Sequence, residues 1–244
     1  MSCFFVTGTD TNVGKTVVSR AIIQALQAQG VHIVGFKPIA CGEEDSIYTE
    51  NRIDDLKQQT EDNKDVKTLL DSTNEAVTYQ DINSYTFTEC SLPVLAALDE
   101  IDNIEVKKID KDLAKLTSRY QSVLVEGTYG WLTPINKEMT FDRWVKEHKM
   151  PVVLVVGIKE GCVNHALLTA QSIVASGVPL LGWVANRINP CLRHYAEIIK
   201  LLHEVIDAPL LGEIPYIHRP EQQQLGHFIT NLDRLTCLQT ELCK

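Results

Sequence analysis

The chain has 244 residues, a formal net charge of −9 and 44% apolar residues. It is long enough for one large α/β core and too acidic for a generic nucleic-acid binder, which would show a basic face. Seven scattered cysteines without a C-x-x-C pair point to reduced thiols rather than a disulfide framework or zinc site. Neither a signal-peptide pattern nor an apolar run near the roughly 18 residues of a membrane helix is visible, so a cytoplasmic protein with no membrane partner is expected.

The first strand is predicted at Cys3–Thr7, followed by the glycine-bearing loop Gly8–Thr16 and a helix over Lys15–Gln29. That helix places Val18, Ile22, Ala25 and Leu26 on one face, with Gly30 able to cap its end. A second strand is predicted at Val31–Lys37. Residues Gly42–Lys64 hold eight acidic side chains and few apolar anchors. A solvated surface insertion is expected there, with a lid as the alternative. Further strands are predicted at Ser122–Glu126, Val152–Gly157, Pro179–Ala185 and Leu210–Ile214, and further helices at Asp110–Tyr120, Asn164–Ala175 and Leu192–Ile206. Alternation of this kind predicts a single doubly wound, mostly parallel sheet of about six or seven strands, with helices on both faces. Ligands should sit at the carboxyl ends of the strands.

Residues 8–16 read Gly-Thr-Asp-Thr-Asn-Val-Gly-Lys-Thr. A strand before and an amphipathic helix after make this a phosphate-binding loop rather than a chance turn. Its N–H groups can turn onto phosphate oxygens, Lys15 can bridge the β- and γ-phosphates, and Thr16 can ligate Mg²⁺. Five residues separate Gly8 from Gly14, where the general pattern has four. The strand ending in Glu126-Gly127 offers a second metal ligand opposite Thr16. Gly35-Phe36-Lys37-Pro38 is read as the end of the second strand, presenting Lys37 to a transferring phosphoryl group. Asn186 can read an adenine edge, and the segment after Pro215 can wall the base.

Together these segments resemble the dethiobiotin synthetase family. The matching stretches run from Phe5 to Thr16, Lys37 to Pro38, Asn83 to Phe87, Val123 to Gly127, Gly130 to Pro134, Pro151 to Gly157, Gly161 to His165, Gly182 to Asn186 and Leu211 to Pro215. The long loop spacing is the family's own form. The resemblance implies a P-loop NTPase-like fold and formation of a ureido ring from 7,8-diaminopelargonate and CO₂, with ATP as co-substrate and Mg²⁺ as cofactor. It implies that Lys15, Lys37 and Thr11 are catalytic, and that Thr16, Glu126 and an aspartate bind metal. Counting back twenty residues from Tyr85 selects Asp65, with Asp54 and Asp55 as competitors. ATP is expected on Asn12, Val13, Gly14, Lys15, Thr16, Val17, Asp65 and Glu126, on Gly127, Thr128 and Tyr129, and on Asn186, Arg187, Pro215, Tyr216, Ile217 and Glu221. The diamine is expected on Thr11, Lys37 and Cys41, and its carboxylate on Gly161, Cys162, Val163 and Asn164 of a homodimer partner.

Four positions in three segments depart from the family pattern. Cys41 stands where a serine is usual and is a weaker hydrogen-bond donor. Asn12 replaces a common glutamate. Gly127-Thr128-Tyr129-Gly130 stands where relatives read Gly-Ala-Gly-Gly, so a positive φ at Tyr129 would be strained. The rival readings are a regulatory switch ATPase and a nucleotide-binding paralogue with weakened catalysis.

Overall fold

Leucine and β-branched runs buried on both faces make the strands of one sheet. The computed structural model describes residues 2–42, 63–101 and 103–236. It contains β1 (Ser2–Gly8), β2 (Ile33–Ala40), β3 (Asn83–Thr86), β4 (Ser122–Glu126), β5 (Val152–Gly157), β6 (Leu180–Asn186) and β7 (Leu210–Ile214). Their order is β3-β2-β4-β1-β5-β6-β7, with parallel pairing between neighbours. The helices are α1 (Lys15–Ala28), α2 (Lys64–Leu70), α3 (Pro93–Glu100), α4 (Val106–Arg119), α5 (Phe141–Glu147), α6 (Cys162–Ala175), α7 (Tyr195–Val205) and α8 (Asp233–Thr236).

Strand alternation divides the apolar side chains between two cores. Phe4 and Val6 of β1, Leu124 of β4 and Val153 and Val155 of β5 pack with Val18, Ile22 and Leu26 of α1 and with Val66 and Leu69 of α2. Phe5, Val123, Val125 and Leu154 face the other way, onto residues of α4, α5, α6 and α7. The sheet is therefore doubly wound. β1 lies between β4 and β5, and the chain leaves it in one direction toward β2 and returns past it toward β5. The carboxyl end of β1 is the topological switch point, where such folds bind ligands.

Several boundaries differ from expectation. β2 does not end at Lys37 but runs on to Ala40. Its ladder with β4 stops at Phe36–Val125, so Pro38, lacking an N–H, sits where that ladder needs none. The Lys37 amide instead donates to Ile82, at 2.8 Å. Strand β3 is short and polar, Asn-Ser-Tyr-Thr, and carries no apolar run to announce it. α2 and α5 span seven residues each, too few for helical periodicity to register. The helices expected from Asp110, Asn164 and Leu192 begin at Val106, Cys162 and Tyr195. Most of the acidic stretch expected as an insertion, Asp54 and Asp55 included, lies outside the described residues.

Candidate active site

The loop from Gly8 to Lys15 closes the switch point from below. Gly14 has φ 85°, and a Cβ there would lie 2.0 Å from the Asn186 amide nitrogen, so this position admits only glycine. Asn186, at the tip of β6, donates to the Val13 carbonyl at 2.9 Å and so braces the loop from two strands away. Lys15 is buried and donates to the Asp10 carbonyl at 3.1 Å. Burial, reinforced by the Lys37 charge, lowers its pKa to about 8. The Asp10 carboxylate accepts from the Thr11 amide at 2.8 Å and pairs with Lys159 at 3.0 Å. Neither Asp10 nor Lys159 was expected in the site; a lysine 149 positions away leaves no local signal.

Asp65 reaches the loop because Asn63 caps α2, accepting from the Asp65 and Val66 amides. An asparagine just before Val66 and Leu69 is the sequence signal for that cap. The Thr16 hydroxyl lies 2.8 Å from Asp65 Oδ1 and 2.7 Å from Glu126 Oε1. Lys37 Nζ lies 2.7 Å from both carboxylates. The lysine is 2% exposed, Glu126 is 0% exposed and Asp65 opens to the cavity. Burial disfavours the Lys37 charge, but Asp65 and Glu126 outweigh it and hold its pKa above the ordinary lysine value. Burial likewise opposes ionisation of Asp65, yet Lys37 keeps its pKa below the ordinary carboxylate value. Glu126 Oε2 is buried without a hydrogen-bond partner among the described residues. Two carboxylates, one of them with its second oxygen unpaired, and a hydroxyl form a hard-oxygen set that suits Mg²⁺, which takes one or two carboxylates and completes its shell with phosphate and water.

Lys15, Thr16, Lys37 and Asp65 line a cavity of about 670 Å³ together with Thr11, Asn12, Val17, Cys41, Asn63, Thr128 and Tyr129, while the fully buried Glu126 contacts Thr16 and Lys37 without lining it. Tyr129 has φ 59° and Asn12 φ 53°, so the backbone at 129 is left-handed, as suspected from its glycine-rich counterpart. The Thr128 hydroxyl donates to the Ile39 carbonyl and ties the loop after β4 to the end of β2. Asn63 also donates to the Cys41 carbonyl, at 2.9 Å. Burial pushes the Cys41 thiol up to about 12.

Other expected residues lie apart from that cavity. Arg187 follows β6 and stacks on Tyr195, 4.4 Å from the ring centre. Pro215, Tyr216 and Ile217 follow β7, whose last residue accepts from the Arg187 amide. Glu221 lies in a short turn of helix over Pro220–Gln222. Gly161, with φ 79°, precedes α6, whose first turn holds Cys162, Val163 and Asn164. That first turn is absent from the lining of the chain's own cavity.

The comparisons agree with this architecture. Residues 3–224 match the family described as an AAA domain. The chain is 63% identical to the ATP-dependent dethiobiotin synthetase of Mannheimia succiniciproducens, over 100% of both chains. It is 45% identical to ATP-dependent dethiobiotin synthetase 2 of Escherichia coli K12, over 93% of this chain and 91% of that one. Among solved structures, the cell-division ATPase MinD of Pyrococcus furiosus superposes with a TM-score of 0.56 at 14% identity, covering 98% of this chain and 100% of that one. This last likeness concerns the fold alone. With the relatives matched end to end, the chain belongs to the ATP-dependent dethiobiotin synthetase family.

Proposed function

We propose that the protein forms the ureido ring of dethiobiotin from 7,8-diaminopelargonate and CO₂, converting ATP to ADP and phosphate. The observation that carries this is the second buried lysine. A nucleotide switch needs Lys15 and Thr16, but Lys37 beside Asp65 and Glu126 places a further fixed cation where an acceptor would meet the γ-phosphate. One diamine nitrogen adds to CO₂ and becomes a carbamate. A carbamate oxygen attacks the γ-phosphorus and ADP leaves. The second nitrogen then attacks the carbonyl carbon, closing the ring and expelling phosphate. Unactivated carbamate has no adequate leaving group; the phosphoryl group supplies one.

Lys15 and the loop amides hold the β- and γ-phosphates. Lys37 stabilises charge on the transferring group. Thr11 and Cys41 border the space left for the diamine. Thr16, Asp65 and Glu126 would hold Mg²⁺, whose charge would offset that of the phosphates. Asn186, Arg187, Pro215, Tyr216, Ile217 and Glu221 flank the expected base and ribose position. The α6 N-terminus, with Gly161 to Asn164, suits a carboxylate; because it lies away from the chain's own cavity, a homodimer with shared sites is the arrangement this reading requires.

ADP release with and without diamine and bicarbonate tests the function. Release that needs both substrates supports it. Release that ignores them means a switch ATPase, and no release with retained nucleotide binding means a relic.

A further inference from the structure

α1 does more than start at the phosphate loop. One turn beyond Thr16, on the same face, stands Arg20, a buried arginine (7% exposed). Its Nε donates to the Gln223 carbonyl at 3.0 Å and its Nη1 donates to Ser72 Oγ at 3.0 Å. The charges that face it are the carboxylates of Asp71 and Glu221. Ser72 lies directly behind α2, the helix that presents Asp65, and its hydroxyl donates back to the Thr68 carbonyl of that helix. Gln223 ends the short turn that carries Glu221. Arg20 thus touches the two segments, 203 and 52 positions away, that bring the expected ribose and metal contacts to α1.

The rest of this junction is built without it. Gln24 accepts from the Leu225 amide at 2.6 Å and donates to the Gln223 carbonyl at 3.4 Å. Gly226 packs so closely on α1 that a Cβ there would lie 2.9 Å from the Ala25 nitrogen. Gln27 donates to the Ser72 carbonyl at 2.8 Å. The segments would therefore stay docked if Arg20 were lost, but without the shared tie that fixes both at once. A guanidinium fits this task because its planar donors point along fixed, separate directions, whereas an ammonium on a flexible stem has no such preset geometry.

We propose that Arg20 is a positioning residue that holds the Asp65 helix and the Glu221 turn in one register on α1, so that nucleotide and magnesium affinities are set together. This rests on the reading of the cavity as a Mg-ATP site. Calorimetric titration with ADP, with and without Mg²⁺, is paired with steady-state kinetics for wild type, Arg20→Met, Arg20→Lys and Ser72→Ala. Loss of charge-assisted bonds should weaken Mg-ADP binding and raise KM for Mg-ATP by about tenfold in Arg20→Met. Its kcat and its KM for the diamine should stay within about twofold of wild type, since Arg20 touches neither reactant. Arg20→Lys should recover part of the loss. Ser72→Ala, which cuts the tie from Arg20 to α2 together with the Ser72 bond to the Thr68 carbonyl but leaves the Arg20 bond to Gln223, should raise the magnesium half-saturation point by about threefold with little change in Tm.

Unchanged Mg-ADP affinity in Arg20→Met would overturn the proposal. So would a lowered Tm with an equal loss in kcat and both KM values, because that is the signature of general loosening. If wild type binds Mg-ADP but never turns over the diamine, the proposed function fails, while the binding titrations still decide the role of Arg20.

Discussion

Lys37 has two carboxylates at 2.7 Å and almost no contact with solvent. Replacing it by methionine leaves Glu126 buried with its charge unbalanced, a loss of about 3–5 kcal/mol for a broken buried pair. Turnover should fall by roughly 10²–10³, as for a lost electrostatic stabiliser, while Mg-ADP binding persists; single-turnover kinetics and titration separate the two. Lys15 behaves oppositely. Its folded pKa of about 8 lies below the unfolded value of 10.5, so the unfolded chain holds more protons between those values. The stability of the unliganded protein should therefore rise with pH from about 8 to about 10.5 through this group. Phosphate near Lys15 restores its charge, so ADP binding near pH 8.5 should take up a proton, seen as a buffer-dependent heat, and Lys15→Gln should lose that uptake. At Tyr129 the backbone is left-handed, φ 59°. Tyr129→Gly should consequently be more stable than Tyr129→Ala by about 1 kcal/mol in urea, and equal stabilities would show that no strain resides there. Of the side chains gathered in and around the candidate site, Lys15, Thr16, Glu126 and Lys37 are legible from their motif and strand contexts. Asp65 emerged from family spacing, and its cap at Asn63 explains why it reaches Thr16. Asp10, Lys159 and Arg20 were not legible, because each acts through partners that only the folded sheet brings near.

Among the elements, β1, β4, β5 and β6 are readable as apolar runs covered on both faces, and the edge strand β7 as a short leucine-rich run. β3 escaped because it is four polar residues held at the sheet edge, and α2 because it makes two turns. β2 runs past Lys37, the expected strand end, because Pro38 follows where the β4 ladder has already ended. Lys37 is therefore not a strand-end group but is fixed inside a strand, with the Asn83 amide donating to the Lys37 carbonyl at 2.8 Å. The loop between β1 and α1 depends similarly on a neighbour. Gly14→Ala would drive a methyl into the Asn186 amide and hold a left-handed alanine. A stability loss of about 1–3 kcal/mol is expected in denaturant melts, with loss of ADP binding. Retained tight binding would mean that Asn186 does not fix the loop.

At the scale of the molecule, the topology sets the division of labour. The switch point beside β1 gathers the phosphate loop, α2 and the tip of β4, while α6 begins one strand away and faces outward. If two chains share sites, subunits of Lys37→Met mixed with Asn164→Asp should regain about a quarter of wild-type turnover per subunit, since half the dimers are mixed and each holds one intact site. No recovery after verified subunit exchange would place the whole site within one chain. The central claim is that the carbamate, not water, attacks the γ-phosphorus. Turnover with C¹⁸O₂ under conditions that limit exchange reads this directly by mass spectrometry of the released phosphate. Attack by the carbamate gives one labelled oxygen per phosphate, carried over from the carbamate. Unlabelled phosphate formed at the rate of ring closure would contradict it.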